Sequence, residues 1–255
     1  EFGWLLISGA ICMRHVDRRD ECLDFLEEAR EIFADIGDDR GLAETLFQHG
    51  LTVGYRGRYS RAARDFERSA ALFLTCGAPI RALEVNRWRS TIYILSQSFD
   101  RAEALTHTTL EAAREHGARL LEARCVNNLG EIARLRRRWS AARQHYRRAI
   151  DIWSALGEVP PIYQFNLCMT DIGSGHFRRA HDRLAVVEEA IEDVGYDDAA
   201  LKRLLAKLAI RAGLEQWDRW DELLPTVRES VDTFIDRDAG DMDDPWMAEL
   251  AVHVT

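Results

Sequence analysis

Between Leu121 and Gly157 the apolar residues Cys125, Val126, Leu129, Ile132 and Ala133 fall at helical spacing. Arg136-Arg137-Arg138 then breaks the pattern, and Ala142, Tyr146, Ala149, Trp153 and Leu156 restore it. Two amphipathic helices joined by a short polar turn are predicted. Ser140, just after Trp139, is placed to cap the second helix, its hydroxyl accepting a backbone N–H that the first turn leaves unpaired. Gly157 supplies the left-handed residue that ends it.

This pattern recurs along the chain. Gly37, Gly77, Gly117 and Gly157 stand 40 residues apart, and Ala10/Gly50/Ser90/Gly130, Cys22/Ala62/Ala102/Ala142 and Asp20/Ser60/Asp100/Ser140 keep the same step. A fixed period of this length means one helix pair stacked on copies of itself. Asp20, Ser60, Asp100 and Ser140 are expected at the cap, with Glu103 completing a capping box for Asp100, and Tyr59, Phe99 and Trp139 fill the turn. The small residues are expected where neighbouring helix backbones approach closely. After Gly157 the step shortens, since Phe177, Ala180 and Gly195 follow their counterparts by 38 residues, with the loss near Pro160-Pro161. The predicted fold is all-α, an α-solenoid (superhelix) of about six antiparallel helix pairs. The repeat domain covers residues 1–235, in units near 1–40, 41–80, 81–120, 121–158, 159–196 and 197–235. Residues 236–255 are expected to be an acidic irregular tail, with Met247 to Val254 a candidate short helix.

The clearest copy, Asn128-Leu129-Gly130 followed by Trp139-Ser140-Ala141-Ala142, Tyr146 and Ala149, resembles the tetratricopeptide repeat (TPR). The 40-residue period with Gly closing the second helix resembles the longer form found in MalT-like regulators and kinesin light chains. Residues Asn166 to Asp221, with Trp217-Asp218-Arg219-Trp220-Asp221, are similar in texture to the C-terminal repeat regions of large bacterial serine/threonine kinases and signalling ATPases. These resemblances imply a module that binds proteins or peptides.

Composition agrees with a folded domain: 255 residues, 47% hydrophobic and 30% charged. Five cysteines without a C-x-x-C pair argue against a disulfide framework or a zinc finger and for a reducing, cytoplasmic setting. The apolar run Phe2 to Met13 is too short for a membrane span and lacks the flanks of a secretory signal. The chain begins with Glu, already in phase with the repeat, so it is expected to be a piece of something longer. The net charge of −9 argues against nucleic acid as the general partner, but its distribution is uneven. Nine arginines lie between Arg119 and Arg148 against Glu122 and Glu131, and acidic residues predominate after Glu188.

No catalytic residue, cofactor site or metal site is predicted. There is no G-x-x-x-x-G-K-[ST] loop, no kinase catalytic loop or D-F-G, and no H-E-x-x-H. His176 and His181 are spaced poorly for one helix face, and Asp236-x-Asp238-x-Gly240-Asp241 departs from a calcium loop in its Gly position and in having Met247 where Glu should stand. Gly173-Ser174-Gly175 reads as a bend rather than a nucleophile elbow. Any kinase or ATPase activity is expected outside this chain.

Two surfaces remain. First helices of stacked pairs line a groove, and register brings Gln48, Trp88, Asn128 and Asn166 to equivalent places there, with Arg87 and Asn127 one residue before two of them. Amides can read the backbone of an extended peptide and Trp88 can stack on a side chain, but the same amides could instead tie one repeat to the next. The second surface is an anion or partner patch of Arg134, Arg136, Arg137, Arg138, Arg143, Arg147 and Arg148, for which simple solvation is the alternative. The leading expectation is a non-catalytic interaction module, the regulatory region of a larger bacterial signalling protein, holding a peptide or a domain of the same longer chain. The alternatives are the effector-binding region of a transcriptional regulator with its Arg edge near DNA, and a head-to-tail scaffold.

Overall fold

The computed structural model describes residues 1–16, 18–192 and 197–237. Among these there are twelve α-helices and no strand: α1 (Phe2–His15), α2 (Arg19–Ile36), α3 (Asp39–Gly54), α4 (Tyr59–Thr75), α5 (Pro79–Leu95), α6 (Phe99–Glu115), α7 (Arg119–Leu135), α8 (Trp139–Ser154), α9 (Pro161–Gly173), α10 (Phe177–Glu192), α11 (Asp197–Gly213) and α12 (Trp217–Arg237). The chain divides into two compact units, Glu1–Cys125 and Val126–Thr255. In the first, α1 packs on α2, α3 on α4 and α5 on α6, while α2 and α4 each also pack on the helix that follows. In the second, α9 packs on α10 and α11 on α12, with α8 against α9 and α10 against α11. Odd-numbered helices also meet directly, α1 with α3, α3 with α5, and α9 with α11. The all-α repeat of helix pairs is therefore observed. The Gly195 counterpart and the 238–255 part of the tail, including its short helix, lie outside the described residues.

The glycine ladder turns out to be half of a finer one. Left-handed residues recur every 20 positions at Gly37, Gly57, Gly77, Gln97, Gly117, Arg137 and Gly157, and the series continues at Gly175 and Glu215. At most of these turns the following residue donates its N–H to the carbonyl five residues back, as in Asp38 to Phe33 (2.9 Å), Ser98 to Tyr93 (2.8 Å), Arg138 to Ala133 (2.8 Å) and His176 to Asp171 (2.8 Å). These are Schellman closures. The turn inside a pair and the turn between pairs thus use the same backbone geometry.

That geometry corrects the expected caps. The next helix begins directly after the closure, at Arg19, Tyr59, Phe99 and Trp139, so Asp20, Ser60, Asp100 and Ser140 are second residues of their helices. The cap positions are Arg18, Arg58, Ser98 and Arg138, none with a side-chain cap bond. Asp38 caps α3 with its side chain, accepting from the Gly41 N–H at 2.9 Å.

Arg137 holds its left-handed conformation (φ 56°) with a Cβ that opposes it. Arg137→Gly is therefore expected to raise stability by up to about 1 kcal/mol, read as a higher urea midpoint. An unchanged or lower midpoint would contradict this account of the turn.

The small-residue ladder does pack closely, and its partner explains which small residue is used. A Cβ on Gly50 would meet the Phe66 ring at 2.7 Å, and one on Gly130 would meet the Tyr146 ring at 2.7 Å. At the equivalent place Thr106 replaces the ring, and Ser90 fits beside it, hydrogen-bonded to its hydroxyl and to the Ala102 carbonyl. Ala10 pairs likewise with Leu26. Ala62, Ala102 and Ala142 are fully buried.

Candidate functional site: the polar seam of the odd-numbered helices

Within each unit, polar ties join odd-numbered helices. Arg14 of α1 donates to Gln48 Oε1 of α3 at 2.8 Å, and Gln48 Nε2 donates to Glu44 at 2.7 Å. Arg81 of α5 bonds both carboxylate oxygens of Glu44 through Nη2 at 2.8 Å. Its guanidinium also lies 4.5 Å from the centre of the Phe47 ring. One repeat later, Arg124 of α7 donates to Glu84 Oε1 of α5 at 2.8 Å, and Arg87 donates to the same oxygen at 3.1 Å. In the second unit Asn166 Nδ2 of α9 donates to Asn127 Oδ1 of α7 at 2.8 Å.

The exposure of these groups separates anchors from available surface. Side chains of Glu44 and Glu84 are 15% exposed, whereas Arg81 and Arg124 are 36% and 38% exposed. Each acid is held in the wall while each arginine keeps donors towards solvent.

Of the predicted groove residues, Gln48, Arg87, Asn128 and Asn166 are buried, and Trp88 and Asn127 are half-buried. Asn127 and Asn166 bind one another, and Gln48 is held by Arg14 and Glu44, so these three act as ties between or within helices. The face of Trp88 is covered by the Arg87 guanidinium, 4.1 Å from the ring centre. Burial pulls that guanidinium below its ordinary pKa, opposed by Glu84. The buried Asn166 Oδ1 is among the side-chain atoms with no hydrogen-bond partner. The residues that sequence reasoning missed are Glu44, Arg81, Glu84 and Arg124. Glu44 and Glu84 do stand 40 residues apart, a signal available in the ladder beside the one chosen.

The arginine patch is also altered. Arg134 is fully buried, not at the surface, and is ion-paired and hydrogen-bonded to Glu131. Tyr146 Oη donates to the same carboxylate at 2.6 Å. Burial alone would lower the Arg134 pKa, but Glu131 and Tyr146 hold it above its ordinary value. Burial, then the Glu131 carboxylate, pushes the Tyr146 phenol well up. Arg143 is bound to Asp171 at 3.0 Å. Arg137, Arg138, Arg147 and Arg148 are exposed and Arg136 is half-buried.

Cys22, Cys125 and Cys168 are buried, and burial pushes the thiols of Cys125 and Cys168 up to about 12, which makes them poor nucleophiles. Among the described residues no three His, Cys, Asp or Glu side chains are grouped to hold a metal, and no helix is long and apolar enough to cross a membrane.

Residues 4–75 match the family model described as tetratricopeptide repeat. In fold, the protein is a TPR-like helical repeat. Its backbone is similar to that of aspartyl phosphate phosphatase F from Bacillus subtilis, at 14% identity over 98% of this chain and 68% of that one, with a TM-score of 0.69. It is also similar to the apo form of RapI, at 12% identity over 99% of this chain and 98% of that one (TM-score 0.64). A third similar structure is a Rap protein in complex with competence and sporulation factor, at 10% identity over 94% of this chain and 78% of that one (TM-score 0.64). No curated protein matches the chain in sequence.

Proposed function

We propose that this chain is a non-catalytic protein-interaction module that holds an extended peptide or a partner domain against the seam of its odd-numbered helices. The observation that carries this reading is the repeated pairing of a recessed glutamate with a partly exposed arginine, Glu44 with Arg81 and Glu84 with Arg124. Each step of the repeat thereby offers a positioned set of N–H donors at regular spacing, which suits the carbonyls of an extended chain. The TPR match over residues 4–75 supports the reading, and so does the Rap structure solved with competence and sporulation factor bound. The setting we favour is cytoplasmic, as the regulatory repeat region, of the 40-residue MalT-like type, of a larger bacterial serine/threonine kinase or signalling ATPase. Binding there would bias the pitch of the stack only by its differential affinity for two shapes.

A peptide library selected on the purified chain tests this. A selected peptide is expected to lose at least about tenfold in affinity, roughly 1.4 kcal/mol, when Arg81 and Arg124 are both changed to Ala, with helicity unchanged by circular dichroism. A selected peptide that binds the double variant as well as the parent would overturn the assignment of the seam.

A further inference from the structure

A second site lies in the unit that begins at Val126, around a carboxylate that is over-supplied with positive charge. Asp171, near the end of α9, is 1% exposed. Arg143 Nε of α8 stands 3.0 Å from its Oδ1, Arg179 Nη1 of α10 stands 3.8 Å from the same oxygen, and Arg183 Nε of α10 stands 3.4 Å from Oδ2. Three guanidinium groups against one carboxylate leave a formal surplus of two positive charges. The side chains bonded to their other donors are neutral or basic, while Asp151 stands four residues after Arg147 on α8. Arg143 Nη2 donates to Ser174 Oγ and lies 3.3 Å from His176 Nδ1, and Arg183 Nη1 donates to Gln164 at 3.0 Å. Asp182, on the same helix as Arg179, is largely exposed and sits by His181.

The arginines are arranged as two i,i+4 pairs, Arg143 with Arg147 on α8 and Arg179 with Arg183 on α10. Like charges at this spacing destabilise a helix, so the pairs cost stability and Asp171 neutralises only part of it. Arg147 is exposed and has no partner among the described residues, and the Arg179 side chain is 51% exposed. Asp171 therefore acts as a buried post that holds guanidinium groups from two helices at one place, with the Arg179 side chain 51% exposed against 19% for Arg143 and 22% for Arg183. Guanidinium forks recognise tetrahedral oxyanions, and the surplus equals the charge of one phosphate dianion.

We propose that Arg143, Arg179 and Arg183, positioned by Asp171, form a binding site for a phosphate group, with Arg147 one helical turn from Arg143 on α8. The site is separate from the odd-helix seam and does not depend on that reading. The phosphate could be carried on a side chain of a partner protein or be free in solution, and the two sources are distinguished by experiment.

The test uses the full chain and fluorescence anisotropy at low salt, with a phosphoserine peptide, the same peptide unphosphorylated, inorganic phosphate and a duplex DNA as probes. The phosphopeptide is expected to bind at least tenfold more tightly than its unphosphorylated form, and Arg179→Ala to remove at least tenfold of that affinity with the helical signal and melting midpoint kept. Arg147→Ala, at an exposed position with no intramolecular partner, is the second variant and should weaken binding several-fold. Inorganic phosphate that displaces the peptide at micromolar concentration would identify the free ion as ligand, and failure to displace it at millimolar concentration would identify the phosphorylated protein. Equal binding of the two peptides, no binding of either, or affinity unchanged in both variants would overturn the proposal. So would DNA binding that exceeds phosphopeptide binding and is lost in the same variants.

Discussion

Arg134→Ala is expected to lower the unfolding free energy by about 3–5 kcal/mol, measured by urea denaturation. The guanidinium is completely buried, and with Tyr146 Oη it satisfies Glu131, whose side chain is only 11% exposed. Removing the arginine leaves a carboxylate in a low-dielectric site without the buried charge that balances it, which is far more costly than losing a surface pair. The same reasoning predicts recovery. Arg134→Met combined with Glu131→Leu removes both charges at similar volume and should restore most of the loss, because a buried pair contributes little net stability over apolar packing. Tyr146 Oη then loses its acceptor, so recovery is expected to be incomplete. A single variant that unfolds at the parental midpoint would show that the buried triad does not exist as described.

Gly50→Ala is expected to destabilise the chain by about 1–3 kcal/mol, although alanine in a helix interior normally gains about 0.5–1 kcal/mol over glycine. The sign reverses because the new Cβ would stand 2.7 Å from Phe66 Cε1 and 2.9 Å from Cδ1, and the Phe66 ring is fully buried with no room to withdraw. In a Phe66→Leu background the penalty should shrink, and the double-mutant cycle isolates the contact. Equal penalties in both backgrounds would place the cost elsewhere in the helix. Ser90 beside Thr106 is the natural precedent, since the smaller partner there admits a side chain where Gly50 and Gly130 have none.

The repeat and its helices were legible because the signals involved are local. Gly37, Gly77 and Gly117 announce left-handed closures whatever surrounds them, and the spacing of Ala142, Tyr146 and Ala149 marks a buried face without knowledge of what covers it. Three of the alternate closures were not legible, because Gln97, Arg137 and Glu215 adopt the same conformation as Gly57 and Gly175 without being glycine. Their conformation is imposed by the two helices each turn must join, at some local cost. The cap positions shifted for the same reason: a hydroxyl or carboxylate near a turn looks like a cap, but the closure decides where the next helix starts.

The candidate surfaces show the limit more sharply. Arg134, Arg136, Arg137 and Arg138 look alike in sequence, yet one is entombed beside Glu131, one is half-buried, one holds a left-handed turn and one precedes a helix. Register places Gln48 and Asn166 either in a groove or as ties between repeats, and in the structure both are buried and bonded to neighbouring helices. By itself the sequence determined the helix pair, its 40-residue period and the faces that must be covered, since hydrophobic spacing and glycine closures act within a few residues. Only the tertiary structure decided which polar residues are spent inside the stack and which arginines stay partly exposed. Charge pairing acts through space, and the groups it joins, Glu44 with Arg81 and Asp171 with Arg143, stand far apart in the chain.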